Sequence, residues 1–346
     1  MLESLCMSWK KSAPILSLSV MSLASSRNLW YVCRCLQLLL THTFSYQRIP
    51  TPRFLRKWGS GPSGIAVHPH LDLVFLADAH NDQIQSFHGD GTPVKAWGSR
   101  GSADGQINFP HSLAVLARSQ DRGHPDRNCV FVTDCYNHRI QVFGIDGSFI
   151  RTWGSEGQSD GQFSFPAGVA VHSNHDLVYV ADNSNHRVQV FNFDGTFVKK
   201  WGTRGSDNGQ FNWPCGVAAH PTRDLIFVCE HDHIHAFRSD GTFLFKWGGS
   251  GSLARQFNHA SSLTLHPTRD LLFVTDSNNH RVQAFDLDGF FLCGWGSHGY
   301  TDGRFRFPFG ISVHPSNDVV YISDNHCIQA FSLFQTSRKR KRTSEN

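Results

Sequence analysis

The chain is poor in charge, in methionine and in paired cysteines, and each shortage excludes something. Charged residues make up 17% and aromatic residues 12% of the 346 positions, which is too apolar and too aromatic for a disordered protein. The nine cysteines are odd in number and no two stand in a C-x-x-C pair. Neither a zinc finger nor a disulfide framework is implied, and unpaired thiols in a reducing compartment are expected. Arg27 and Arg34 break up any apolar run near the N-terminus that would reach the ~20 residues of a membrane helix. No nucleophile elbow, P-loop or HExxH motif occurs. The body of the chain also lacks a positive surplus. The net charge is +4, but residues 1–50 and 335–346 each hold five basic groups against a single acid, Glu3 or Glu345, leaving 22 basic and 26 acidic side chains in residues 51–334. A groove for single-stranded nucleic acid ordinarily shows basic excess, and this region has the reverse.

What is present is glycine, phenylalanine and a repeat. Thirty glycines against three methionines suggest short strands and tight turns. Trp-Gly occurs at Trp58, Trp97, Trp153, Trp201, Trp247 and Trp295, at intervals of 39, 56, 48, 46 and 48 residues. A period in the forties is that of propeller blades. The third unit shows four apolar runs, GVAV, LVYVAD, RVQVF and GTFVKKW, separated by turn-rich segments, which is one four-stranded blade. The short interval reflects a deletion after Trp58, where Pro62 stands in for Pro166; the long one reflects extra residues near Ser119 to Asn128; the 46-residue one reflects a shortened turn from Glu230 to Phe237. In LVYVAD, Leu177 and Tyr179 point one way and Val178 and Val180 the other, so the strand needs cover on both faces. Neighbouring blades would supply it.

The ends of the array predict closure. The last unit stops at Leu333–Phe334 without its fourth strand, while an orphan fourth strand, Arg53–Gly59, precedes the first unit. Pairing the two removes the open edges. The recurring DxxNHRVQVF element at Asp134–Phe143, Asp182–Phe191 and Asp276–Phe285, preceded by WGSxGxxxGQFxxPxGVAV, resembles the NHL-repeat family. The likeness covers roughly residues 53–334, with departures in blades one, four and six, the fourth reading EHDHIHAF. It implies an all-β, six-bladed NHL-type propeller used for recognition, as in malin and the tripartite-motif NHL ubiquitin ligases. Those carry a RING ahead of the propeller; only Cys6, Cys33 and Cys35 precede it here, too few for such a zinc site.

In an antiparallel meander the WGSxGxxxGQF loops and the DxxNHR turns share one face, and loops on a rigid scaffold are where recognition usually lives. The binding-face candidates are Arg100, His138, Arg139, His186, Arg187, Arg204, His231, His233, His280, Arg281, Arg304 and Arg306. Two readings compete: a basic ring for phosphate, RNA or an acidic peptide, or turn chemistry in which Asn tolerates a left-handed backbone and Arg pairs with a nearby Asp. Asp78, Asp134, Asp182, Glu230, Asp276 and Asp324 close each second strand and form an expected acidic ring near the axis. One-per-blade recurrence marks a fold device rather than a metal site, so no metal or cofactor is expected. His231, His233 and His235 alternate on one predicted strand side, near enough for a metal, with an ordinary His-rich turn as the blander account. NHL-type amidating lyases resemble this fold and use histidine-bound zinc, but the positions following the Pro (Ser63, His111, Ala167, Cys215, Ser261, Phe309) offer one His.

The expected organisation is a disordered or targeting leader at 1–50, with the apolar run Pro14–Ala24, then the propeller at 51–334 and a basic disordered tail at 335–346, with Arg338–Arg342 as an import or anionic-surface patch. The expected function is a monomeric, non-catalytic protein-recognition module, cytoplasmic or nuclear, on the substrate side of a ubiquitin-ligase system. The alternatives are single-stranded RNA binding and a metal-dependent hydrolase or lyase at the central channel.

Overall fold

The computed structural model describes residues 50–59, 63–117, 128–266 and 268–334. The leader, the basic tail, Pro62 and the insertion near Ser119 lie outside the described residues. The first strand, β1 (Arg53–Trp58), is followed by four strands of a first blade, β2 (Ile65–Val67), β3 (Leu73–Asp78), β4 (Gln83–His88) and β5 (Pro93–Trp97). Blade two holds β6 (Pro110–Ala117), β7 (Asn128–Asp134), β8 (Arg139–Gly144) and β9 (Phe149–Trp153). Blade three holds β10 (Pro166–His172), β11 (Leu177–Asp182), β12 (Arg187–Asn192) and β13 (Phe197–Trp201). Blade four holds β14 (Val217–Ala219), β15 (Ile226–Cys229), β16 (His233–Phe237) and β17 (Phe243–Gly248); blade five holds β18 (Ala260–His266), β19 (Leu271–Asp276), β20 (Arg281–Asp286) and β21 (Phe291–Trp295). Blade six has β22 (Ile311–His314), β23 (Val319–Ser323) and β24 (Ile328–Ser332). Within the six sheets the strand pairings are antiparallel, and the last sheet runs β1-β24-β23-β22. The N-terminal strand closes the circle, with Phe54 opposite Phe331 and Trp58 opposite Ile328.

The core is six interfaces, one between each pair of neighbouring blades. Val178 and Val180 pack with Phe131, Ile140 and Val142 of blade two. Tyr179, from the other face of the same strand, packs with Val217, Ile226 and Val228 of blade four. Each such side chain is worth roughly 1.5–3 kcal/mol on burial, and a lone sheet would bury neither face.

The Trp-Gly and Asp-Gly dipeptides are one device. In the turn at Asp194-Gly195 the Asp accepts the Thr196 N–H at 2.9 Å, Asp90, Asp146 and Asp240 do the same two residues on, and the Gly takes positive φ. The Trp of the preceding blade's outer strand lies on that Gly: a Cβ on Gly195 would stand 2.8 Å from Trp153, and Gly147 and Gly289 meet Trp97 and Trp247 in the same way. On this face, buried His68 and His266 also bond across blades, to Asn128 at 3.2 Å and Asp318 at 2.9 Å.

The axial channel, about 250 Å³, is walled by the innermost strands of all six blades, including Ile65, Leu113, Val169, Val217, Leu263 and Ile311. No titratable side chain is among its lining residues. The six acids expected at its mouth lie elsewhere, as described next. Among the described residues no disulfide occurs, and no helix is long and apolar enough to cross a membrane.

Candidate functional site

The DxxNHRVQ element is a clamp on the adjacent loop. Asp182 is fully buried. It accepts the Ser164 N–H at 2.7 Å, the Asn185 amide at 2.9 Å, Arg187 Nε at 2.7 Å and the Gln189 amide at 3.0 Å. Arg187 spends its remaining fork on the loop, donating to the carbonyls of Gln158, Ser159 and Gln162 at 2.7, 3.0 and 2.8 Å. Arg139 on Asp134 and Arg281 on Asp276 repeat the arrangement, each Nε 2.7 Å from the carboxylate. Asp78 instead gathers the amides of Asn81, Gln83 and Gln85, and Asp324 takes the N–H groups of His326 and Cys327. Of the two readings of the arginines this geometry fits the pairing with a nearby Asp, and one expectation about the acids changes. Arg139, Arg187 and Arg281 are loop anchors and not a basic ring for a ligand, because four of each guanidinium's N–H groups are already committed. The acids Asp78, Asp134, Asp182, Glu230, Asp276 and Asp324 are buried under the loops rather than lining the channel, and most reach a loop about 18 residues away rather than only their own turn.

The histidines of the motif join blades. His138, His186 and His280 adopt left-handed backbone at φ 52°, 54° and 54°. Each Nδ1 accepts a backbone N–H from the next blade: Phe165 at 3.1 Å, Trp213 at 3.2 Å and Phe307 at 3.3 Å. Asp82 does the same for Phe109 at 2.7 Å. Burial lowers the pKa of His186 and His280, with Arg204 adding to the first and His298 to the second, which keeps Nδ1 free to accept.

The residues thus pinned are the surface feature that the sequence reading missed. Phe109, Phe165, Trp213, His259 and Phe307 all have φ between 53° and 65°, a costly conformation for a bulky residue. The conformation recurs as a fold device, but nothing in the fold requires an aromatic ring there. Trp213 is 50% exposed, and Phe165 and Phe307 are exposed too. Tyr136, 51% exposed, stacks on Phe109 with centroids 4.7 Å apart and meets Phe165 edge-on at 5.9 Å. Trp213 is flanked by His186 and lies under the Arg204 guanidinium, 5.8 Å from the ring centroid. Farther round, Tyr300 is 65% exposed and carries Arg306 at 4.8 Å. An aromatic arc with arginines laid over two of its rings therefore occupies the loop-rich face. Of the other candidates, Arg100 is exposed 4.0 Å from Asp82, and Arg304 is exposed. A cleft beside the arc is lined by Ser184, His186, Lys200, Thr203 and Arg204. The signal was present as Phe-Pro, Phe-Pro, Trp-Pro and Phe-Pro dipeptides ahead of the first strand of blades two, three, four and six.

The histidine cluster of blade four departs from its expected geometry. His233 and His235 lie on β16, whereas His231 sits in the turn before it and packs against His259 at 5.3 Å. The three do not share one strand face. Beside the axis, His111 meets Phe309 edge-on at 4.9 Å, and burial pushes its pKa down to about 4. Burial likewise pushes the Cys215 thiol up to about 12, so no reactive thiolate is prepared there.

The family model for the NHL repeat matches residues 163–191 and 257–285. The chain contains NHL repeats. Both matched segments begin at the Phe that ends a GQF or RQF loop and end at the Phe of the VQxF strand, so the matched unit contains the clamp Asp and its donors, with the clamped loop just ahead of it. Among curated proteins, the NHL region is similar to Protein brain tumor of Drosophila melanogaster, 33% identical over 95 residues, which is 27% of this chain and 8% of that protein. It is also similar to RING finger protein nhl-1 of Caenorhabditis elegans, 34% identical over 80 residues, 23% of this chain and 7% of that protein. Peptidylglycine alpha-amidating monooxygenase of Rattus norvegicus is 36% identical over 96 residues, 26% of this chain and 9% of that enzyme. The chain therefore matches less than a tenth of the length of each.

Proposed function

We propose that this NHL propeller is a non-catalytic recognition module that takes a protein segment on its loop-rich face, with the aromatic arc as its anchor. The observation that carries the reading is the exposure of Tyr136, Phe165, Trp213 and Tyr300, with the Phe165 and Trp213 backbone pinned by His138 and His186. Rigid, exposed aromatics bury large area at small entropic cost and dominate protein interfaces. The acidic balance of residues 51–334 favours a protein over a polyanion. A catalytic reading centred on the channel has little to work with, since the channel wall is aliphatic and small. The likeness to a protein named as a RING finger supports placing the module on the substrate side of a ubiquitin-ligase system, with the ligase chemistry outside the propeller.

One observation favours a second reading. Arginine stacked over Trp213 and Tyr300 is also the chemistry of a platform for unpaired bases. Capture from native lysate, with and without RNase, separates the two when wild type is compared with Phe165→Ala/Trp213→Ala. Retention that resists RNase and falls about tenfold or more in the variant is the expected result. Binding that vanishes with RNase and drops steeply with salt transfers the arc to RNA. Capture equal in variant and wild type removes the arc from recognition altogether.

A further inference from the structure

Blade four breaks the electrostatic pattern of its sisters. In blades two, three and five the buried carboxylate is neutralised by a guanidinium at 2.7 Å. In blade four, pairing with the neighbouring strands puts His233 where those blades have Arg and His235 where they have Gln. The turn is two residues shorter, and a second carboxylate, Asp232, stands directly before the strand. Two carboxylates therefore meet with imidazoles and no guanidinium. Blades one and six also lack the Arg, but Asp78 and Asp324 are filled by amide or backbone donors, and the second carboxylate of blade one, Asp82, accepts the Phe109 N–H.

A carboxylate oxygen of Glu230, one of Asp232 and a ring nitrogen of His233 lie within 4.8 Å of one another. His233 Nδ1 is 2.7 Å from Asp232 Oδ1 and 4.0 Å from Glu230 Oε1. We propose that these three side chains bind a divalent transition-metal cation of the zinc class, which supplies the positive charge that arginine supplies elsewhere. Two carboxylates and an imidazole suit zinc, manganese or iron(II), whereas calcium takes oxygen ligands throughout. Three protein donors leave at least one position for water. Asp232 and His233 are each 30% exposed and open the site to solvent, while Glu230 forms its buried floor.

The ligands are also held from behind, as metal ligands are. His235 Nε2 lies 3.0 Å from Glu230 Oε1, and His235 is fully buried against Phe211 and Phe237. Ser250 Oγ donates to the second oxygen of Asp232 at 2.7 Å, and the Gly249 N–H holds the Asp232 carbonyl at 2.8 Å. Cation uptake needs the Nδ1 lone pair of His233 free, with the ring proton on Nε2, and needs the 2.7 Å contact with Asp232 to widen to the spacing of two zinc ligands. Among the described residues this is the one group of three such side chains brought together.

The test uses the full chain, stripped with EDTA and titrated with zinc chloride by calorimetry, beside Asp232→Asn/His233→Gln and Ser250→Ala. Wild type is expected to bind one zinc equivalent that the double variant lacks, with Ser250→Ala about tenfold weaker. Equal zinc stoichiometry and affinity in wild type and double variant overturn the proposal. Cobalt(II) substitution of wild type keeps the question open to decision if the variant misfolds. Visible bands of oxygen and nitrogen ligation without a thiolate charge-transfer band support the site. A thiolate band, or no cobalt spectrum at all, refutes it.

Discussion

Replacing Asp182 by Ala is the most direct test of the clamp. The carboxylate is wholly buried and Arg187 nearly so, with 2.7 Å between them. At an effective dielectric near 20 the attraction is about 6 kcal/mol, much of it offset by desolvation of both charges. Removing one partner leaves the other charge buried, and that state costs about 3–5 kcal/mol. Asn185 and Gln189 also lose one of their two acceptors. For a propeller of this size about 2 °C of melting temperature accompanies each kcal/mol, so Asp182→Ala should melt roughly 6–10 °C below wild type by calorimetry at neutral pH. Asp182→Leu/Arg187→Met, which removes both charges, should recover part of that loss. Asp324→Ala, whose acid has no guanidinium partner among the described residues, should lose about half as much. If Asp182→Ala melts within ~1 °C of wild type, or no worse than Asp324→Ala, the clamp is not what orders the loop and the reasoning fails.

Three further outcomes follow from the same structure. Gly195→Ala places a Cβ 2.8 Å from Trp153 at φ 92°, whereas Gly161→Ala meets nothing within 4 Å at φ 80°; the first should cost about 2–4 kcal/mol and the second about 1 kcal/mol, read from urea midpoints. Burial lowers the pKa of His68, His172, His220, His266 and His314, and takes His111 to about 4. The unfolded chain therefore binds more protons below about pH 6.5, and stability should be full above that pH and fall as pH drops from 6.5 towards 4. Each such histidine contributes a slope of up to ~1.4 kcal/mol per pH unit, and a flat melting temperature from pH 7 to pH 5 would contradict the burial. Deleting Arg53–Gly59 removes Phe54 from Phe331 and Trp58 from Tyr321 and bares the edge of β24. It should cost roughly 3–5 kcal/mol and promote association in light scattering, with an unchanged melting curve speaking against closure by this strand.

The number of blades, their four-strand meander and the closing strand were readable from residue order alone. Trp-Gly spacing, the two-sided apolar run of LVYVAD and a surplus strand at one end are local patterns, and local pattern determines which strands form and how many faces each must hide. The fate of the NHR side chains was decided by tertiary structure. Asp182 and the Gln162 carbonyl that Arg187 also holds are 20 residues apart, and only the folded-back loop turns an apparently basic ring into spent hydrogen bonds. The aromatic arc has the same origin, since Phe109, Phe165 and Trp213 stand 56 and 48 residues apart and share a surface only after three blades stack. His231 left its expected strand face because the shortened turn holds it outside the strand, which begins at His233. Periodicity reports what repeats along a chain, whereas a surface for recognition is built from positions that only closure of the ring makes neighbours.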